Sequence, residues 1–174
     1  MQPKPKTKKC KHCNRLMPKG LNAYCSYQCQ AAAKRKRDKQ KPDYIHKKLV
    51  EKCDEAASKL VRTRDIAKYG KVCFTCKKEI TKGYVQAGHF VSRRVWFTRW
   101  DLNNMRIQGS CCNNYKSGAP QEFAYYLARE IGQEHVDWLV EQKFTYNAKP
   151  SIEYLEALLS KLKEDLAAVE KSLE

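Results

Sequence analysis

The chain has 174 residues, with 35 Lys and Arg against 19 Asp and Glu, a net charge of +16 and a pI near 9.5. This length suits one ordinary domain or two small ones and excludes a large multilayer enzyme. Seven Gly and six Pro exclude a low-complexity or collagen-like chain, and no apolar run approaches the roughly 20 residues that span a bilayer. The basic start lacks an apolar stretch, so no secretory signal is expected and the expected compartment is the reducing cytoplasm. There, nine Cys read as metal ligands sooner than as disulfides.

The charge is polarised. Residues 1–50 carry a net +13, residues 51–120 a net +8 and residues 121–174 a net −5. A cationic front of that density attracts a phosphate backbone largely regardless of sequence, with an affinity that falls steeply with salt. A merely solubilising surface would not need such self-repulsion. An acidic membrane surface lacks support, because no basic amphipathic helix with bulky apolar residues is present.

In chain order, the first feature is Cys10-x-x-Cys13, then eleven residues, then Cys25-x-x-x-Cys29. Two close pairs across a short loop form a tetrahedral thiolate set for zinc, and a segment this small needs such a staple. His12 between the ligands reads as a bystander. Residues 30–41 continue as a helix exposing Lys34, Arg35, Lys36 and Arg37, candidate phosphate contacts. Pro42 ends it, and Asp43 caps a second helix over 44–68 with an apolar stripe at Ile45, Leu49, Cys53, Ala56, Leu60 and Ala67. Cys53 falls on that stripe and reads as core.

Residues 71–120 change texture. Stretches 72–74 and 84–91 suggest a hairpin of strands, and residues 113–117 open a short helix. A helix over 123–131 ends at Gly132, and a further short one carries Val136, Leu139 and Val140, with Trp138 as a bridge to the core. From Pro150 or Ser151 to Leu173 the apolar residues Ile152, Leu155, Leu159, Leu162, Leu166, Val169 and Leu173 step by three and four. That is a coiled-coil seam of about three heptads. It either pairs two copies or packs back on the chain's own core, since three heptads are marginal alone.

The stretch that carries chemistry contains Cys73-x-x-Cys76, Gly88-His89, Asn103-Asn104 and Cys112-Asn113, followed by Lys116-Ser117-Gly118. Phosphodiester cleavage needs a base for water, and a neutral imidazole suits that step. It also needs a hard divalent cation, for which an Asn carbonyl is a fitting oxygen ligand. A lone His on a strand is usually structural, but here it is one of several spaced features. Around it lie Arg93, Arg94, Trp96, Phe97, Arg99, Trp100 and Arg106. The arginines and Lys116 are candidate DNA contacts, with Arg94 and Arg99 foremost, and at least two of the aromatic residues read as core.

This pattern resembles the HNH (ββα-metal) nucleases. The resemblance implies a His on a hairpin strand as general base (His89), a central Asn that orients it (Asn104) and a final Asn as metal ligand (Asn113). Over most of its length the chain further resembles the phage NinG/Rap family of recombination endonucleases. The residues that carry this are the N-terminal finger, Cys73-x-x-Cys76, Ala87-Gly-His-Phe90, Arg99-x-Asp101-x-Asn103-Asn104, Gln108, Cys112-Asn113, Lys116-Ser-Gly118 and Ile131-Gly-Gln-Glu-x-Val136. The resemblance implies a structure-specific endonuclease on Holliday junctions, D-loops and forks. Two positions depart from it. Many HNH enzymes have Asp before the His, where this chain has Gly88; Asp101, the only carboxylate between Glu79 and Glu122, is the substitute candidate for Mg²⁺. The family's second Cys pair would begin at position 109, here Gly109, so a second zinc would rest on Cys73, Cys76 and Cys112, with Cys111 in doubt.

The sequence thus predicts an α+β protein with a small zinc-stabilised HNH-like core. Its expected parts are a four-Cys zinc finger (1–30), a basic helical linker (31–70), a nuclease core (71–145) and a C-terminal heptad helix (146–174), a candidate for pairing two copies into a homodimer. The expected cofactors are Mg²⁺ or Mn²⁺ and one or two structural Zn²⁺, and the expected partner is branched DNA, with no membrane. The alternatives are a non-enzymatic zinc-finger protein that binds nucleic acid, and an adaptor that recruits a partner through its C-terminal helix.

Overall fold

The structure is a computed structural model and describes residues 7–19, 22–81, 83–145 and 147–174. The basic start of the chain and the expected boundary at 146 lie outside the described residues. The chain divides into two compact units, Met1–Lys48 and Leu49–Glu174.

In the first unit, strands β1 (Thr7–Lys9) and β2 (Leu16–Pro18) form an antiparallel hairpin with Lys8 opposite Met17. Helix α1 (Tyr27–Asp38) follows, its start fixed by Ser26, whose hydroxyl accepts from the Cys29 N–H at 3.2 Å. Cys10 and Met17 are buried, but no residue of α1 is. So little apolar burial cannot hold a fold by itself, which gives the cysteines their role.

Helix α2 (Pro42–Tyr69) starts on Pro42, which stands in its first turn where a missing N–H costs nothing. From Leu49 onward α2 belongs to the second unit. Those residues, expected as part of a linker, are instead a wall of its core. Val50, Cys53, Ala57, Leu60 and Val61 are buried, with Leu49 and Ala56 partly so; Ala67 is exposed.

Helix α5 (Ile152–Lys171) buries Leu155, Leu162 and Leu166 in the same cluster, with Leu158, Leu159 and Val169 packed against it. The Cys53 thiol donates to the Leu155 carbonyl at 3.4 Å, and Lys59 pairs with Glu170 at 2.8 Å. Of the two roles open to the heptad, packing back on the chain's own core is the one seen: Leu155, Leu162 and Leu166 are buried with α2 residues, while Leu173 is 56% exposed. Its buried leucines thus work as in any amphipathic helix of a single core.

The expected hairpin is corrected too. Val72 makes only an isolated bridge to Glu79, and β3 (Gln86–His89) pairs with β4 (Met105–Gln108), placing His89 opposite Met105 and Gln86 opposite Gln108. All four β4 residues are buried, including the polar Arg106 and Gln108, so its sequence lacks the alternation that marks a half-exposed strand. The Cys73–Cys76 knuckle attaches through the Phe74 N–H to the Ile107 carbonyl at 2.9 Å. α2 holds the same edge of β4. Asp65, 1% exposed, accepts from the Ile107 N–H at 2.9 Å, while Arg64 donates to the carbonyls of Leu102 and Met105.

Helices α3 (Pro120–Ile131) and α4 (Gln133–Glu141) close a second cluster of Phe74, Val91, Phe123, Leu127, Val136 and Leu139. Trp138 is 42% exposed and does not join it. Among the described residues no helix is long and apolar enough to cross a membrane.

Candidate active site

Fifteen residues separate β3 from β4, and Asn104 at their end organises them. Its side chain is fully buried; Oδ1 accepts from the Val91 N–H at 2.7 Å, and Nδ2 donates to the carbonyls of Val91 and Thr98 at 2.9 and 2.8 Å. The Phe90 N–H adds a bond to the Asn104 carbonyl at 2.9 Å. This clamp fixes the loop that carries Arg99, whose carbonyl lies 3.0 Å from His89 Nε2. Asn104 is therefore not the direct partner of the His89 ring that the sequence reading made it. It acts one step removed, by holding the loop whose carbonyl touches the ring.

A carbonyl only accepts, so Nε2 carries the proton and Nδ1 keeps its lone pair in the neutral ring. Burial lowers the His89 pKa from its ordinary value; the charges of Arg93 and Arg99 push the same way, against the Arg99 carbonyl and Asp54.

His89 lines a cleft of about 690 Å³ together with Asn113, Ser117 and Gly118 on one side and Asp54, Glu55, Ser58 and Arg62 of α2 on another. Arg93 and Arg99 also line it. Asn113 sits on a π-helical turn, Cys111–Tyr115, a rare local form frequent at functional sites. Its Nδ2 donates to Gln86 Oε1 at 2.7 Å. After the turn, Ser117, Gly118 and Ala119 all have positive φ, at 50°, 87° and 49°. For Ser and Ala this left-handed backbone costs about 1–2 kcal/mol each. The bonds from Gly118 N–H to the Cys112 carbonyl and from Ala119 N–H to the Lys116 carbonyl hold it.

Gly88, next to His89, has no room for a side chain. A Cβ there would lie 1.9 Å from Gln108 Oε1 and 3.1 Å from Asn113 Oδ1. An aspartate at this position would have to displace the Gln108 side chain. Gln108 is fully buried, its Nε2 donates to Thr75 Oγ1 at 3.1 Å and to the Gly118 carbonyl at 2.7 Å, and its Oε1 has no hydrogen-bond partner. An orphaned amide oxygen beside a second one suits the oxygen chemistry of a hard divalent cation.

Asp101 does not serve that site. It caps a 3₁₀ turn, accepting from the Asn103 N–H at 2.8 Å, and its other oxygen lies 3.9 Å from His135 Nε2. Two expected DNA contacts are also committed elsewhere. Arg106 is 3% exposed, pairs with Glu130 at 3.0 Å and donates to three backbone carbonyls. Arg99 pairs through Nε and Nη2 with the two oxygens of Asp54, at 2.9 and 2.6 Å, and packs on Trp96 and Trp100. Trp100, which also donates to Asp54 at 2.9 Å, is buried, Trp96 is half-buried, and Phe97 is 60% exposed. Arg93, Arg94 and Lys116 are exposed, and so are Lys34, Arg35, Lys36 and Arg37 in the first unit.

The cysteines form two groups whose sulfurs all lie within 4.8 Å of one another: Cys10, Cys13, Cys25 and Cys29, and Cys73, Cys76 and Cys112. Cys111 is exposed and stands outside the second group, and His12 outside the first. In the first, the Cys13 backbone N–H draws Cys10 down to about 6, while the thiols of Cys29 and Cys13 push Cys25 up to about 12. In the second, burial raises Cys73, but the Cys76 N–H and the Thr75 hydroxyl outweigh it and leave about 7; burial lifts Cys112 to about 11. Crowded thiols split in this way because they cannot all ionise without a cation. Both groups could hold zinc, the first with four sulfurs and the second with three and an open position.

The sequence reading missed Asp54, Glu55, Ser58, Arg62 and Gln108. Asp54, Ser58 and Arg62 recur every four residues, which puts them on one face of α2. That polar face was the available signal. Gln108 stood in that reading only among the residues that carry the family resemblance, because its place beside the cleft comes from its bond to the Gly118 carbonyl on a later turn.

Together these features define a small α+β protein whose β-hairpin and following turn set one His and two amide side chains around a polar cleft beside a cysteine knuckle. Residues 30–174 match the family described as Bacteriophage Lambda NinG protein, and the chain belongs to that family. The match leaves out the first cysteine group. Comparison with curated proteins and with solved structures finds no match for the chain.

Proposed function

We propose that the protein is a divalent-metal-dependent endonuclease of branched DNA, with His89 as general base. The observation that carries this reading is the His89 ring in the cleft wall, with one nitrogen committed to the Arg99 carbonyl and the other left as a proton acceptor. A purely binding protein has no use for that arrangement, nor for Asn113 beside it. In the reaction, Nδ1 takes a proton from water as the water oxygen bonds to phosphorus, and the bond from phosphorus to the 3′ oxygen breaks. A bound Mg²⁺ supplies charge stabilisation at the phosphate and the leaving oxygen. Asn113 would hold it through Oδ1, and the Arg99 carbonyl keeps the imidazole in the productive tautomer.

Charge supports DNA as the substrate. Arg62 and Arg93 line the cleft, and residues 1–120 carry the whole positive excess. The preference for Holliday junctions and forks rests on the resemblance to phage recombination endonucleases.

The test is cleavage of an end-labelled four-way junction in Mg²⁺, beside linear duplex and single strand, by wild type and His89→Ala. Preferential nicking by wild type, with retained binding and lost cleavage in the variant, supports the reading. Tight binding by both with no cleavage in Mg²⁺ or Mn²⁺ refutes it and leaves the zinc-stabilised binding protein.

A further inference from the structure

Gln108 is fully buried, and its amide oxygen has no hydrogen-bond partner among the described residues. Its orientation is not open to choice. The Gly118 carbonyl accepts only, so the end of the amide that meets it at 2.7 Å must be the nitrogen, and the other end must be the oxygen. Asn113 Nδ2 donates to Gln86 Oε1 at 2.7 Å, which leaves Asn113 Oδ1 on the side of Gly88. Both amide oxygens therefore face the space above Gly88, and since a Cβ there would be 1.9 Å from one and 3.1 Å from the other, they lie no more than about 5 Å apart.

Leaving a buried amide oxygen unpaired costs about 1–3 kcal/mol. Here one such oxygen, on Gln108, lies near the amide oxygen of the partly buried Asn113, next in sequence to His89, and the nearby backbone is held in a left-handed form at Ser117 and Ala119. That is an expensive arrangement for an apolar core and a reasonable one for a cation. Two neutral oxygens suit a hard divalent ion that keeps water and takes further oxygen from a phosphate, and do not suit a thiophilic one.

We propose that Gln108 Oε1 and Asn113 Oδ1 are the protein's two ligands to a hard divalent cation beside the cleft wall at Asn113, with Gly88 left bare to make room for the Gln108 oxygen. The proposal deepens the endonuclease reading, on which the catalytic meaning of the ion rests. It assigns Gln108 a role that Asp101 does not fill. It also makes the Gly118 carbonyl and Thr75 hydroxyl positioning groups that hold Gln108 in its orientation.

The test uses the full zinc-loaded chain and Mn²⁺ as the probe. Mn²⁺ binding is measured by electron paramagnetic resonance, without DNA, for wild type, Gln108→Ala, Asn113→Ala and His89→Ala. The expected result is one tight Mn²⁺ site in wild type, at least tenfold weaker in Gln108→Ala and in Asn113→Ala and unchanged in His89→Ala. Should Gln108→Ala fail to fold, the wild type alone decides. Added Mn²⁺ must broaden the side-chain amide resonances of Gln108 and Asn113 before those of exposed Asn and Gln. Mn²⁺ binding that ignores Gln108→Ala, or that leaves the Gln108 resonances sharp, overturns the proposal and leaves Oε1 to a buried water. Junction cleavage that survives alongside that result keeps the endonuclease and removes only the ligand assignment. The expected Mn²⁺ pattern without any cleavage keeps the cation site and removes the endonuclease.

Discussion

Replacing Asn104 by Ala tests the clamp on which the cleft depends. The substitution removes three side-chain hydrogen bonds of 2.7–2.9 Å and leaves the Val91 N–H and the carbonyls of Val91 and Thr98 without those partners in a fully buried site. At about 1 kcal/mol net per bond, the loss is about 3 kcal/mol, and more if water cannot reach the orphaned groups. Urea unfolding followed by tryptophan fluorescence reads the right unit, because Trp96, Trp100 and Trp138 all lie between 49 and 174. With a slope of about 2 kcal/mol per molar urea, the midpoint falls by about 1.5 M. Asn104→Asp is expected to do no better, since a carboxylate would face two carbonyls. A second readout separates positioning from mere stability. The loosened loop carries the Arg99 carbonyl away from His89, so the His89 titration seen by NMR shifts in Asn104→Ala. A midpoint within about 0.5 kcal/mol of wild type, or an unchanged His89 titration in the folded variant, refutes the reasoning.

Further outcomes follow from the same geometry. The His89 pKa is lowered, so the base form persists to a lower pH than a free histidine allows. Cleavage should therefore rise through an acid limb centred below the ordinary value of 6.5 and then level off, as a pH profile of single-turnover rates will show. Glu130 is held at about 2 despite burial, by its bonds to Lys68, Tyr69 and Arg106. Its contribution is thus present above the unfolded value of 4.5 and lost as pH falls from there toward 2. Glu130→Gln should flatten that segment of the stability profile and destabilise at neutral pH by about 3 kcal/mol, because it strands buried Arg106. Leu162→Ala, at 2% exposure, should cost about 3 kcal/mol with no concentration dependence, whereas an intermolecular seam would make the loss vary with protein concentration. Metal analysis should find the zinc content of Cys111→Ser equal to wild type and that of Cys112→Ser reduced.

The local chemistry was legible in the sequence. Cys10, Cys13, Cys25 and Cys29 could be paired by spacing alone, because close Cys pairs on a short loop bring their sulfurs together whatever surrounds them. Ser151 stands at the helix start expected there, its hydroxyl accepting from the Tyr154 N–H, whereas α1 begins at Tyr27 behind the Ser26 cap and not at residue 30 as expected. The helical periods of α2 and α5 were readable as well, and so was His89 as the residue around which the cleft is built. All of these depend on neighbours within a few positions.

What each element packs against was decided only by the tertiary structure. The heptad of α5 has the same spacing whether it meets a second copy or α2, and only the folded chain shows Leu155, Leu162 and Leu166 buried with the apolar face of α2. Strand β4 could not be recognised because all four of its residues are buried, which erases the alternation a reader looks for. Arg99 and Arg106 look like phosphate contacts in a basic sequence, but Asp54 and Glu130, at sequence separations of 45 and 24, claim them. Gly88 read as a missing ligand; in three dimensions it is the space that two amide oxygens share. Sequence spacing fixes short-range geometry through the covalent chain, whereas the partner of a buried charge or oxygen is set by packing between distant segments.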